Sequence, residues 1–253
     1  MVFPASLDPQ VWPYPRWIAH RGAGKLAPEN TLAAFQLGAE HGYRMFECDA
    51  KLSADGVVFL LHDATLERTT NGQGLAGDQP WASLSGLDAG SWHSPLYQGE
   101  PLLTLDRVAQ FCRLGGHALN IEIKPTPGTE WATGAAVAQR AAQLWQEAPV
   151  PPLLTSFQTA SLAAAQSVAP SLPRGLLLDT LWAGWLNQAM ALDCIAVVAH
   201  FSLWDVATVA EVHQAGLRCL SYTVNDEATA QHLLDLGTDG LITDRVDFFR
   251  PEG

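Results

Sequence analysis

The feature that most limits what this chain can become is an alternation. Short apolar runs of strand length at 17–20, 44–49, 57–62, 118–124, 153–156, 175–178, 195–199, 218–223 and 240–243 are separated by amphipathic, alanine-rich stretches. Those stretches, roughly 31–41, 105–114, 133–147, 159–168, 180–191, 205–215 and 226–236, have helical length. Strands that alternate with helices build a parallel sheet covered by helices. The second and third runs are joined through Asp55-Gly56, a favoured hairpin turn pair, so they count as one unit. Eight strand–helix units in 253 residues predict an α/β fold of the (β/α)8 barrel type, as one catalytic domain over 1–253. The rival is an open, doubly wound sheet, which loses ground because no G-x-G-x-x-G follows the first run.

Helix ends carry their own signals. Asn30 and Thr159 are expected as N-caps, and Gly42, Gly216 and Gly237 stand where a left-handed residue ends a helix. Residues 63–103 break the rhythm with many Gly, Thr, Pro and Trp. So long an irregular stretch inside a domain reads as a functional lid or a small inserted subdomain.

Composition narrows the partners. The net charge is −12, which repels nucleic acid and anionic membrane surfaces at long range. A small anionic substrate then needs a local cationic site. Cys48, Cys112, Cys194 and Cys219 form no C-x-x-C pair and sit among apolar neighbours, so buried, reduced thiols and a cytoplasmic location are expected. The first fifteen residues have neither a basic n-region nor an apolar h-region, so no signal peptide is expected there. No run reaches membrane-spanning length, and no stable membrane association is expected. Nothing in the sequence chooses between monomer and homodimer.

The chemistry concentrates on strand ends. Period-two alternation sends Glu47 and Asp49 to one face, and Glu122 and Lys124 repeat the arrangement on another strand. Both faces of a parallel barrel are covered, and charges are rarely buried there unpaired. Packed carboxylates would raise one another's pKa, and a bound cation removes that penalty. An all-oxygen set made of Glu47, Asp49 and Glu122 suits one hard divalent ion, Mg2+ or Ca2+. His20 and His62 each end an apolar run, at equivalent strand ends, and their titration range suits a general base and a general acid. Arg21 follows His20 and can fork onto a phosphate. His200 also ends a run, as a weaker candidate for the barrel mouth.

Taken in order, these residues resemble the glycerophosphodiester phosphodiesterase family. The blocks are His20-Arg21-Gly22, Pro28-Glu29-Asn30-Thr31, Glu47-Cys48-Asp49, His62-Asp63, and Thr65-Leu66-Glu67-Arg68-Thr69-Thr70-Asn71-Gly72. Further along stand Ile121-Glu122-Ile123-Lys124, Ser156-Phe157, Tyr222-Thr223-Val224-Asn225 and Asp239-Gly240-Leu241-Ile242-Thr243-Asp244. The resemblance implies a (β/α)8 barrel with an insertion at 63–103, a divalent cation on Glu47, Asp49 and Glu122, an acid–base pair in His20 and His62, and phosphate contacts from Arg21 and Lys124. It implies deacylated phospholipids such as glycerophosphocholine as substrates, with sn-glycerol 3-phosphate and an alcohol as products. Tyr222 departs from the family's frequent Trp; it and Phe157 are expected in the substrate pocket. Glu29 and Asn30 are expected to support the site from behind. A phospholipase D-like or phosphoinositide enzyme on the same fold, a non-catalytic polyol-phosphate-binding barrel and a metal-dependent aldolase are the alternatives.

Overall fold

The computed structural model describes residues 12–251. Residues 1–11, on which most of the signal-peptide expectation bears, lie outside the described residues.

Among the described residues nine strands appear in chain order: β1 (Trp17–Ala19), β2 (Met45–Leu52), β3 (Val58–Leu60), β4 (Ala118–Ile123), β5 (Leu153–Ser156), β6 (Arg174–Leu178), β7 (Cys194–His200), β8 (Arg218–Tyr222) and β9 (Gly240–Thr243). All but β3 pair in parallel, and the β1–β2 and β1–β9 pairings close them into an eight-stranded barrel. The outer helices are α1 (Leu32–Glu40), α3 (Leu105–Gly115), α4 (Glu130–Leu144), α5 (Thr159–Val168), α6 (Trp185–Ala191), α7 (Val206–Gln214) and α8 (Glu227–Leu236). The short α2 (Trp81–Leu84) belongs to the insertion. The alternation therefore closes as expected, with one difference: among the described residues no helix follows β9. A turn takes its place, and Phe249 stacks on Trp17 of β1 with ring centroids 4.5 Å apart. Aromatic packing thus covers the seam where the barrel closes.

Side-chain parity builds the layers. Ile18, Met45, Leu153, Leu177, Val198, Leu220 and Ile242 point inward and plug the barrel. Phe46, Cys48 and Ala50, of opposite parity on β2, pack outward against the helices. Phe46 meets Phe35 of α1 at 5.6 Å and Phe111 of α3 at 5.8 Å. Burying one such side chain stabilises the fold by roughly 1.5–3 kcal/mol. The four cysteines are buried and free.

β3 runs antiparallel to β2, and Gly56 takes the left-handed conformation of the hairpin turn (φ +85°). The insertion follows this hairpin and carries its own small core of Phe59, Leu61, Leu66, Ala76, Leu84 and Leu102. Two cap expectations are corrected. Thr31, not Asn30, caps α1, its hydroxyl accepting from the Ala34 N–H. Thr159 opens α5 as its first residue, after a Gln158 cap with no side-chain hydrogen bond. Asn30 has a left-handed backbone (φ 60°) in place of the extended one an N-cap takes, so its side chain is free for another task.

Candidate active site

On β2 and β4 the register sets Glu47 beside Asn120 and Asp49 beside Glu122. Side-by-side residues of parallel strands face the same way, so Glu47, Asp49 and Glu122 converge inside the barrel mouth. Their carboxylate oxygens lie within 4.8 Å of one another. Glu47 Oε1 and Asp49 Oδ1 are buried without any hydrogen-bond partner. Leaving buried carboxylate oxygens unpaired is costly. Burial pushes the Glu47 carboxyl well above the usual range, and Asp49 and Glu122 push the same way. Burial and then Asp49 raise Glu122 to about 7, against the opposing ammonium of Lys124. Asp49 moves down: burial acts to raise it, but Arg21, Lys124, His62 and a hydrogen bond from Asn30 outweigh that. The cluster cannot ionise fully on its own, and three hard oxygens with two orphaned lone-pair sites fit a divalent cation.

Two cations flank the cluster. Arg21 Nε lies 3.2 Å from Asp49 Oδ2 and its Nη1 donates to Glu29 Oε1 at 2.9 Å. Arg21 is itself left-handed (φ 52°), a conformation that costs a non-glycine residue roughly 1–2 kcal/mol. In it the Arg21 backbone N–H donates to Glu47 Oε2 at 3.1 Å. Lys124 Nζ donates to Glu122 Oε1 at 2.8 Å and stands 5.7 Å from the Phe157 ring centroid. Lys51, buried two residues beyond Asp49 on β2, donates to the Lys124 carbonyl at 2.9 Å.

The two histidines arrive by different routes. His20 follows β1, and its Nδ1 lies 2.6 Å from Asp244 Oδ1, beyond the end of β9. The Asn225 amide donates to Asp244 Oδ2 at 2.9 Å, which fixes that carboxylate in turn. Gly24 makes this approach possible: a Cβ there would lie 2.2 Å from the Asp244 backbone. His62 follows β3, whose direction opposes that of the barrel strands, so the expected equivalence of the two strand ends is corrected. The hairpin carries the chain past the mouth and brings it back, and the Leu61 N–H bonds the Asp49 carbonyl at 3.0 Å. His62 Nδ1 lies 2.7 Å from Asp63 Oδ1.

His20, Arg21, Glu47, His62, Glu122 and Lys124 all line one cavity of about 230 Å³. Phe157 and Tyr222 form part of its wall, edge to face at 5.8 Å, and the Tyr222 hydroxyl is anchored on the Leu178 carbonyl. His200 lies behind Tyr222 at 5.9 Å and is not among the lining residues. Glu29 and Asn30 stand behind the site. The Asn30 amide donates to Asp49 Oδ2 at 2.8 Å and its Oδ1 accepts from the Asp49 N–H at 3.1 Å.

Sequence reasoning gave no role to Asp63, Arg68, Asn225 or Asp244, although all four stand in the quoted blocks. An acid next to His62 and another just after β9 were the available signals. Nor was Lys51 singled out, although it shares the parity of Glu47 and Asp49. A second cluster, His213, Cys219 and Asp239, also comes within 4.8 Å. There Asp239 already accepts from Arg218 and from the Cys219 N–H, at the opposite end of the barrel.

Residues 20–248 match the model of the glycerophosphoryl diester phosphodiesterase family. The chain belongs to this family. A glycerophosphodiester phosphodiesterase of Bacillus subtilis (strain 168) is 31% identical over 249 residues, covering 92% of this chain and 84% of that protein. One from Caldanaerobacter subterraneus subsp. tengcongensis is 30% identical over 231 residues, covering 90% and 93%. Among solved structures, an Oleispira antarctica phosphodiesterase in complex with the product sn-glycerol 3-phosphate superposes with a TM-score of 0.85 at 36% identity, covering 91% of this chain and 93% of that one. As a glycerophosphoryl diester phosphodiesterase family member the chain is an enzyme, a phosphodiesterase built on a closed barrel. No helix among its described residues is long and apolar enough to cross a membrane.

Proposed function

We propose that this enzyme hydrolyses small glycerophosphodiesters, such as glycerophosphocholine and glycerophosphoethanolamine, to sn-glycerol 3-phosphate and the free alcohol. One observation carries the reading. Glu47 and Glu122 of the three-carboxylate cluster, two cations and two histidines, each histidine backed by its own carboxylate, border a single small cavity, with Asp49 buried next to the two glutamates. The Oleispira antarctica relative, bound to sn-glycerol 3-phosphate, supports the product.

Glu47, Asp49 and Glu122 would hold one Mg2+ or Ca2+, which when bound supplies positive charge next to the phosphoryl oxygens. Arg21 and Lys124 add fixed cationic donors on the same oxygens, where negative charge builds during the displacement. His20 and His62 divide the proton transfers: one takes the proton of the attacking hydroxyl, the other protonates the departing alkoxide. Asp244 and Asp63, each on Nδ1 of its histidine, hold the rings so that Nε2 is the atom that exchanges protons with the substrate. The attacking hydroxyl is either water or the glycerol 2-hydroxyl, and the second route passes through a cyclic phosphate. Phe157 and Tyr222 offer flat apolar faces to the substrate's carbon skeleton. Buried thiols support a cytoplasmic setting for the enzyme, as monomer or homodimer.

The test is release of sn-glycerol 3-phosphate from glycerophosphocholine and glycerophosphoethanolamine with Mg2+, with Ca2+ and after thorough chelation. Turnover that needs an added divalent cation is expected. Absence of product from every glycerophosphodiester tried, or full turnover after chelation, would overturn the corresponding part of the reading.

A further inference from the structure

Arg68 lies in the insertion, outside the cavity, and is partly exposed (43%). Its guanidinium nevertheless makes four hydrogen bonds, all to two carboxylates. Nε and Nη2 donate to Asp63 Oδ2 and Oδ1 at 2.6 and 3.1 Å. Nη1 and Nη2 donate to Glu29 Oε2 and Oε1 at 2.8 Å each. Asp63 holds His62, and Glu29 holds Arg21. One planar fork therefore joins the supports of a proton-transfer residue and a phosphate-facing residue that follow β3 and β1, the two strands paired with β2.

The fork is itself anchored. Thr70 closes a turn around Arg68 through N–H and hydroxyl bonds to the Leu66 carbonyl, and Leu66 is buried in the insertion's small core. A partly exposed ion pair of this kind contributes about 0–1 kcal/mol to stability. Its donor geometry, by contrast, specifies the angle between two carboxylates, which a flexible ammonium does not.

We propose that Arg68 is a positioning residue: through Asp63 and Glu29 it fixes His62 and Arg21 relative to each other, and so makes the insertion part of the catalytic apparatus. This rests on the roles proposed above for His62 and Arg21. Without the fork, Asp63 and Glu29 lose their common brace, and both working groups sample unproductive orientations.

The experiment compares kcat and KM on glycerophosphocholine for the parent, Arg68→Ala, Arg68→Lys, His62→Ala and the Arg68→Ala/His62→Ala double variant, with thermal melting of each. Loss of an outer support typically lowers activity on the order of 10–100-fold. Arg68→Ala is expected to lose kcat by such a factor while melting within a few degrees of the parent, and Arg68→Lys to stay well below the parent. In the His62→Ala background the Arg68→Ala loss is expected to shrink, because the residue it positions is gone. Arg68→Ala within twofold of parent kcat, full activity in Arg68→Lys, or an undiminished loss in the double variant would each overturn the proposal. Parent-like activity in His62→Ala would instead overturn the reading of the site on which it rests.

Discussion

Asp49 and Glu122 stand side by side in register on neighbouring parallel strands, yet they titrate in opposite directions. Both are desolvated. Arg21, Lys124, His62 and the hydrogen bond from the Asn30 amide all favour the charged form of Asp49, and together they outweigh burial. For Glu122, burial and the neighbouring Asp49 outweigh Lys124 and Arg21, so its carboxyl rises to about 7. A shared cation would favour the charged form of both.

The pH dependence follows from that asymmetry. Glu122 is raised from its ordinary 4.5 to about 7, and Glu47 is raised as well. Carboxyls whose folded pKa is raised contribute stability below the ordinary value and lose it as pH climbs through the folded one. The chelated protein should therefore lose stability from this cluster between about pH 4.5 and 7. Saturating Mg2+ or Ca2+ should raise the melting temperature more at about pH 8 than at about pH 5, since cation and proton compete for the same oxygens. Melting curves with chelator or cation at the two pH values check this; a larger cation effect at the acidic value would contradict it.

His20→Ala and His62→Ala should each lower kcat by about 10²–10⁴ while leaving the fold intact, the loss expected for a positioned acid or base. Steady-state kinetics with circular dichroism on the same samples decide the matter. Either variant turning over at the parent rate would remove that histidine from the mechanism.

Asp244→Asn keeps the shape of the side chain but withdraws the negative charge from His20 Nδ1, 2.6 Å away. The amide also competes with Asn225 for donors and acceptors. If His20 moves a proton as proposed, a loss in kcat on the order of 10–100-fold is expected, with KM changed far less, the size seen for outer supports of active-site ligands. An unchanged kcat would mean that His20 keeps its orientation without Asp244.

Gly24→Ala should destabilise the fold by more than about 2 kcal/mol, since overpacking adds to the cost of a left-handed residue. The new Cβ would sit 2.2 Å from Asp244 backbone atoms, at φ +57°. Gly42→Ala supplies the control. Its φ is +90° but nothing lies within 4 Å, so only the conformational cost of about 1–2 kcal/mol applies. Urea denaturation of both variants tests the contrast, and equal losses would rule out the steric argument.

Much of this molecule was legible in advance wherever the physics is local. Strand parity alone put Glu47 with Asp49, and Glu122 with Lys124, on common faces. The apolar runs located the strands, and Asp55-Gly56 located the hairpin. The errors were local competitions settled by tertiary structure. Asn30 has a capping side chain, but Asp49 claims it, and Thr31 takes the cap instead. His62 ends an apolar run as His20 does, but run composition does not record strand direction, and β3 runs the other way.

The sequence by itself determined which residues are apolar, at what period they recur and which side chains share a face, because these depend on backbone geometry over a few residues. Only the closed barrel decided which of those faces meet. His20 reaches Asp244 across 224 positions, and Arg68 reaches Glu29 across 39. Such pairs have no periodic signature: they form because the β1–β9 seam closes and the insertion folds back against the segment between β1 and α1, and the packing of distant apolar surfaces drives both.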